Sequence, residues 1–115
     1  MLLKLPELIA KARANVTCIS AEQALSQTTT DAVFIDVREP TEFQEKSISC
    51  TQNIPRGLLE MQMLQKYPNS EQTIYLHCAT GGRACLAAEQ LMRIGYTNVH
   101  AITCKFDDIC STFAN

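Results

Sequence analysis

No apolar run in this chain approaches the ~20 residues that a helix needs to cross a bilayer. The opening stretch M-L-L-K-L-P-E-L-I-A-K-A-R-A also lacks the unbroken apolar segment of a secretory leader, because Lys4, Pro6 and Glu7 interrupt it. Its spacing predicts instead an amphipathic helix over residues 1–14, with Leu5, Leu8, Ile9 and Ala12 turned inward. The six cysteines form no C-x-x-C pair and the two histidines show no zinc-ligand spacing, so no metal site is expected. Lysine and arginine are scattered through a chain of formal net charge −2, which removes the basic footprint of a nucleic-acid binder. Internal repeats and low-complexity tracts are missing as well. Neither a membrane nor a nucleic acid is expected as a partner.

What is present fits an ordinary globular chain: 115 residues, 46% hydrophobic and 19% charged, enough for one core and too few for two. One domain is expected over 1–115. Small secreted domains use cysteines to staple weak cores. With no leader and no weak core, the thiols here are expected to be reduced, in a cytoplasm, and mostly to serve as packing residues.

The chain is organised around residues 73–95, T-I-Y-L-H-C-A-T-G-G-R-A-C-L-A-A-E-Q-L-M-R-I-G. A β-prone run over 73–77 stops at Cys78. Four small residues follow, and from Arg83 a helical pattern sets in, with Ala84, Ala87, Ala88, Leu91 and Ile94 in one stripe and Gly95 just past its end. The reading is strand, tight loop, helix. A glycine-rich loop can turn its backbone N–H groups inward, and the positive end of the next helix points to the same place. A cysteine there, near an arginine, is favoured as thiolate, the nucleophilic form.

Elsewhere, 16–19 reads as a short strand and 21–27 as a helix, with Ser20 and Gln23 as a capping box. The most hydrophobic short run, 32–37, reads as a central strand buried on both faces. Residues 41–45 can make one or two helical turns, 53–55 a short extended segment, and 57–66 a helix carrying Leu58, Leu59, Met61 and Leu64. A last strand over 97–102 and a helix over 106–113 close the chain. Strands separated by helices of this length imply an α/β domain with a mainly parallel sheet. Ligands of such sheets gather at the carboxyl ends of strands, where both Cys78 and Asp36 fall.

Three stretches, F-I-D-V-R-E-P-T-E-F at 34–43, N-I-P-R-G at 53–57 and I-Y-L-H-C-A-T-G-G-R-A at 74–84, resemble the rhodanese, or sulfurtransferase, homology domain, particularly its single-domain bacterial members. The resemblance covers roughly residues 15–110. It implies a three-layer fold with a twisted, mainly parallel sheet of five strands flanked by helices. It also implies that Cys78 is the sulfur-carrying nucleophile. Ala79, Thr80, Gly81, Gly82 and Arg83 match the loop around that sulfur, with Arg83 as helix start and anion partner. Asp36 matches the acidic residue beneath the loop, and Arg38 and Glu42 a charged, mostly structural pair. Relatives usually carry G-H-I-P-G-A where this chain has Lys46-Ser47-Ile48-Ser49-Cys50-Thr51, and a tryptophan near the end where it has none. Those departures bear on the cleft rim and hence on the substrate.

The chemistry implied is two displacements in ping-pong order, without metal or organic cofactor. Cys78 takes the outer sulfur of thiosulfate, or of a protein persulfide, and passes it to cyanide, a small thiol or a protein thiol, a sulfur-relay protein being one candidate partner. Arg56, near a cleft edge, is either a second cation for the donor or a solvated surface residue. Cys85 is either a resolving thiol for an oxidised Cys78 or a small residue facing the sheet. Two rival readings exist. Phosphatases and arsenate reductases cradle tetrahedral anions in C-x5-R loops, whereas Cys78 to Arg83 is C-x4-R. Non-catalytic rhodanese-like binding or regulatory modules typically lack the cysteine, which this chain has.

Overall fold

Successive side chains of a strand face opposite ways, and along the two central strands this alternation decides the layers. The structure, a computed structural model, describes residues 1–114. Asn115, the last residue of the domain expected over 1–115, lies outside the described residues. From β2 (Val33–Asp36) and β4 (Ile74–His77), with the residues just beyond each, Ile35, Val37, Ile74, Leu76 and Cys78 enter one buried cluster. Tyr75 and the half-buried Phe34 enter the other.

The first cluster is closed by α1 (Leu5–Asn15), α4 (Leu59–Lys66) and α5 (Gly82–Ile94), through Ala12, Leu59, Met63, Ala84, Ala87, Ala88 and Leu91. The second is closed by α2 (Ala21–Gln27) and α6 (Phe106–Thr112), through Ala21, Ala24 and Ile109. Between the helical layers lies a five-stranded, wholly parallel sheet in the order β1-β5-β4-β2-β3, with β1 at Thr17–Ile19, β3 at Gln52–Asn53 and β5 at Val99–Ile102. A short helix, α3 (Pro40–Glu45), and a 3-10 turn at Arg56–Leu58 complete the path. This is the α/β architecture expected. Among the described residues, no helix is long and apolar enough to cross a membrane.

Local chemistry explains most boundaries. Ser20 caps α2 by accepting from the Gln23 N–H at 3.1 Å, while the Gln23 side chain accepts from the Ser20 N–H at 2.8 Å. Gly95, with φ +126°, ends α5.

Two expectations about helix faces need correction. Leu5 and Leu8 are not turned inward; they are 62% and 42% exposed, and α1 buries only Ala12 and half-buries Ile9. It packs chiefly on α5, so its contact stripe is narrow. The helix expected over 57–66 begins as α4 only at Leu59, after the 3-10 turn that holds Leu58, and it buries Leu59 and Met63. Ile94 is exposed too, because the chain turns at Gly95 and Tyr96 fills the core in its place.

The strand order also positions the site. From β2 the chain moves outward to β3, and from β4 it moves outward the opposite way to β5. The connections therefore diverge at the carboxyl ends of β2 and β4, where sheets of this kind have their crevice.

Candidate active site

Cys78 follows directly on β4, and its sulfur stands where a side-chain cap of α5 would stand. The first N–H groups of a helix have no partner within it. Here the Ala84 N–H points at Sγ of Cys78 at 3.4 Å, and the Gly81 N–H joins it at 3.1 Å. The positive end of α5 faces the same atom. Gly81 makes this possible: it adopts φ +99°, and a Cβ on it would stand 3.0 Å from the Thr103 Cα. The loop is fastened from outside by the Phe106 N–H, which donates to the Ala79 carbonyl at 2.8 Å. Cys78 is 1% exposed, so the sulfur is covered, and Thr80 is the exposed residue of its loop.

Beneath the loop, on the other face of the sheet, lies a buried ionic group. Asp36 and His77 are register partners on β2 and β4. Asp36 accepts from the Arg38 backbone N–H at 2.9 Å, from Nε at 3.0 Å and from a terminal guanidinium nitrogen at 2.8 Å. The guanidinium also donates to the Lys46 carbonyl at 2.8 Å and lies 4.0 Å above the Phe106 ring. Asn53 donates to the carbonyls of Asp36 and Arg38 at 3.0 and 2.9 Å, which pins the end of β2.

The expected Arg38–Glu42 pair does not form. Arg38 turns inward to Asp36, and Glu42 reaches across to Arg83 in a two-pronged ion pair of 2.7 and 3.1 Å. The Arg83 hydrogen bond holds the Glu42 carboxyl down at about 2, from a usual 4.5, and Glu42 in turn raises Arg83. What this pair adds to stability is whole above pH 4.5 and fades as pH falls toward about 2. Being partly exposed, it adds at most about 1 kcal/mol. Arg56 is paired too, with Glu60 one turn on at 2.9 Å. Each arginine near the crevice thus already has a carboxylate.

The model of the rhodanese-like domain matches residues 20–111, most of the chain. The chain belongs to the rhodanese-like domain family. Among curated relatives, the thiosulfate sulfurtransferase PspE of Escherichia coli K12 is 30% identical over 66 residues, covering 57% of this chain and 64% of that protein. The chain spans between 53% and 64% of the length of the first curated relatives it matches. Among solved structures, an E. coli rhodanese with anions superimposes with TM-score 0.61 at 28% identity, covering 66% and 89% of the two chains. The protein of unknown function RPA3614 of Rhodopseudomonas palustris, designated a possible tyrosine phosphatase, reaches 0.79 over 96% and 92% at 20% identity, a likeness of fold alone. The three-layer fold is therefore that of rhodanese-like domains.

Within this rhodanese-like site, Cys85 is fully buried in the same cluster as Cys78. Burial first, then the neighbouring Cys18 thiol, push the Cys85 thiol up to about 12. Asn53, Phe106 and Thr103 were not singled out as site residues. The signal for Asn53 was its place in N-I-P-R-G; for Phe106 it was an aromatic opening the last helix. Among the described residues, no group of three or more His, Cys, Asp or Glu is placed to hold a metal ion.

His77 faces away from Cys78, as strand alternation predicts. Its Nδ1–H donates to the Cys78 carbonyl at 3.3 Å, which leaves Nε2 without a partner, 3.7 Å from Asp36. Burial holds the imidazole below its usual 6.5, against the opposing pull of Asp36. The folded state therefore takes up this proton at lower pH than the unfolded chain. His77's contribution is full above pH 6.5 and is lost as pH falls through the folded value. Urea unfolding is expected to show stability falling between pH 7.5 and 5.5 because of this group. His77→Gln should remove that part of the slope, and an unchanged slope would refute the assignment.

Proposed function

We propose that the protein is a sulfurtransferase of the thiosulfate sulfurtransferase type, in which Cys78 carries the sulfur as a persulfide. The observation that carries this is the pair of amides, from Gly81 and Ala84, aimed at Sγ of Cys78 in a rhodanese-like domain. Donors fixed in place stabilise a negative sulfur without reorganising. In the proposed cycle Cys78 thiolate attacks the outer sulfur of the donor, and the donor's sulfur–sulfur bond breaks. With thiosulfate the leaving group is sulfite. An acceptor thiol or cyanide then takes the outer sulfur, and Cys78 returns as thiolate. The loop 79–83 surrounds the persulfide and yields to admit the donor. We take Asp36, Arg38 and Asn53 as the frame that holds the end of β2. Cys85 is a packing residue in this reading, since a thiol held near 12 is a poor nucleophile at neutral pH. Residues 1–115 act as one domain with its core in 15–110, and the six free thiols fit a reducing, cytoplasmic setting.

The arginine pairing bears on the donor. Thiosulfate is a dianion, and Arg83 and Arg56 each already face a carboxylate. Thiosulfate should work but bind weakly, and a protein persulfide is the preferred donor. Glu42→Gln frees the Arg83 guanidinium and is expected to lower the thiosulfate KM about tenfold with kcat little changed. An unchanged KM would remove the explanation.

A non-catalytic binding module is the second reading, and the 1% exposure of Cys78 is the observation in its favour. Mass spectrometry separates the two. After incubation with thiosulfate one added sulfur is expected, mapped to Cys78. No addition from any donor, small or protein, would favour the module.

A further inference from the structure

The first helix reaches past the start of α5. Ile9 sits on Gly82, where a Cβ would stand 2.8 Å from its Cδ1, and Asn15 donates to Glu89 at 3.1 Å. Contacts advance in the same direction along both helices, so α1 and α5 run parallel. Gly82 is the first residue of α5, and Leu5 lies one turn before Ile9 on the same face of α1. Leu5 therefore projects about 6 Å beyond the start of α5, at the end of the sheet that carries the Cys78 loop. Met1, Leu2, Leu3, Leu5 and Leu8 are all exposed there, a dense apolar patch for so short a segment.

The patch has a sign. Residues 1–15 hold Lys4, Lys11 and Arg13 against Glu7, a net +2, in a chain whose remainder carries −4. Among the described residues, none of those three cations forms an ion pair. The family match begins at residue 20, after α1. The arginines beside the crevice, by contrast, are neutralised, which disfavours a small dianion and favours a donor recognised elsewhere on the surface.

We propose that the projecting end of α1 is the docking surface for a protein that delivers sulfur to Cys78, and that the partner's docking face is apolar and rimmed with acidic residues. This rests on the sulfurtransferase reading above and names the partner class. In the transfer, Cys78 thiolate attacks the outer sulfur of the partner's cysteine persulfide. The new sulfur–sulfur bond forms on Cys78, the old one breaks, and the electron pair leaves on the partner's thiolate. No outside oxidant or reductant is needed. Leu5 and Leu8 supply apolar contact, while Lys4 and Lys11 steer the acidic rim.

The test uses the full chain and two cysteine persulfide peptides of equal length, one with leucines and glutamates beside the cysteine, the other with lysines for the glutamates. Sulfur arriving on Cys78 is timed by mass spectrometry at low salt. The acidic peptide is expected to load Cys78 at least about tenfold faster, an advantage that fades with salt. Leu5→Ser with Leu8→Ser, and separately Lys4→Glu with Lys11→Glu, should abolish that advantage. Both variants alter exposed residues, so transfer from thiosulfate to cyanide should stay within about twofold of the parent. Equal rates for the two peptides would overturn the proposal. So would variants that slow the thiosulfate reaction by the same factor, which would mark α1 as merely structural. A parent protein that forms dimers or binds anionic vesicles, when the variants do not, would assign the surface to another occupant. Failure of Cys78 to take sulfur from either peptide or thiosulfate would instead overturn the sulfurtransferase reading itself.

Discussion

Cys78→Ser is expected to reduce sulfur transfer by at least ~10³-fold while leaving the fold in place. The two expectations have separate physical grounds. Serine is close in size to cysteine, and the Gly81 and Ala84 N–H groups that face the sulfur would face the hydroxyl instead, so the new polar atom is not left without partners. Stability should therefore fall by no more than about 1 kcal/mol. The chemistry has no such substitute. A serine hydroxyl is hardly ionised near neutral pH and cannot carry a second sulfur reversibly, so the covalent intermediate disappears. Five other thiols remain in the variant, the exposed Cys50 among them. Transfer retained within about tenfold of the parent, with sulfur mapped to one of those, would show that Cys78 is not the carrier.

The largest loss of stability is expected at the buried pair beneath the loop. Asp36 is fully buried and Arg38 is 5% exposed, and together they place two opposite charges out of water. Asp36→Ala would leave a guanidinium buried without its counter-charge, at a cost of about 3–5 kcal/mol. For a domain of this size that is a large share of the total, which is ~5–15 kcal/mol. Removing both charges should cost far less than the two single changes added together, because the uncompensated charge is then gone. Asp36→Leu with Arg38→Met is the appropriate double variant. The checking measurement is urea unfolding of the parent, both singles and the double, read as a mutant cycle. A single-variant cost below about 1 kcal/mol, or simple additivity, would contradict this account.

The contrast between these sites explains what the sequence made legible. Chemistry confined to a few consecutive residues could be read directly: the turn at Gly81 and Gly82, the cysteine at a strand end, the Ser20–Gln23 cap, and the strand runs themselves. Their determinants lie within one or two turns of chain. Pairings across the fold could not be read. Glu42 meets Arg83 from 41 residues away, and nothing near Glu42 announces that its partner is not the closer Arg38. The face of α1 failed for a related reason. Periodicity shows that a helix has an apolar stripe, but the number of neighbours decides how much of it is covered. α1 packs chiefly on one helix and leaves leucines in water. The burial of Cys78 was equally hidden, since it depends on Phe106 fastening the loop from the far end of the chain.

The sheet's outer strands carry a consequence for behaviour in concentrated solution. β1 has three residues and β3 only two, and these are the two margins of the sheet. Open hydrogen-bonding groups along a margin can template an incoming chain, and the hazard grows with the length of straight strand on offer. With so little ladder at either end, strand-by-strand fibre growth from the native state has almost no starting point. Any strand-paired aggregation of this protein should therefore follow loss of the fold.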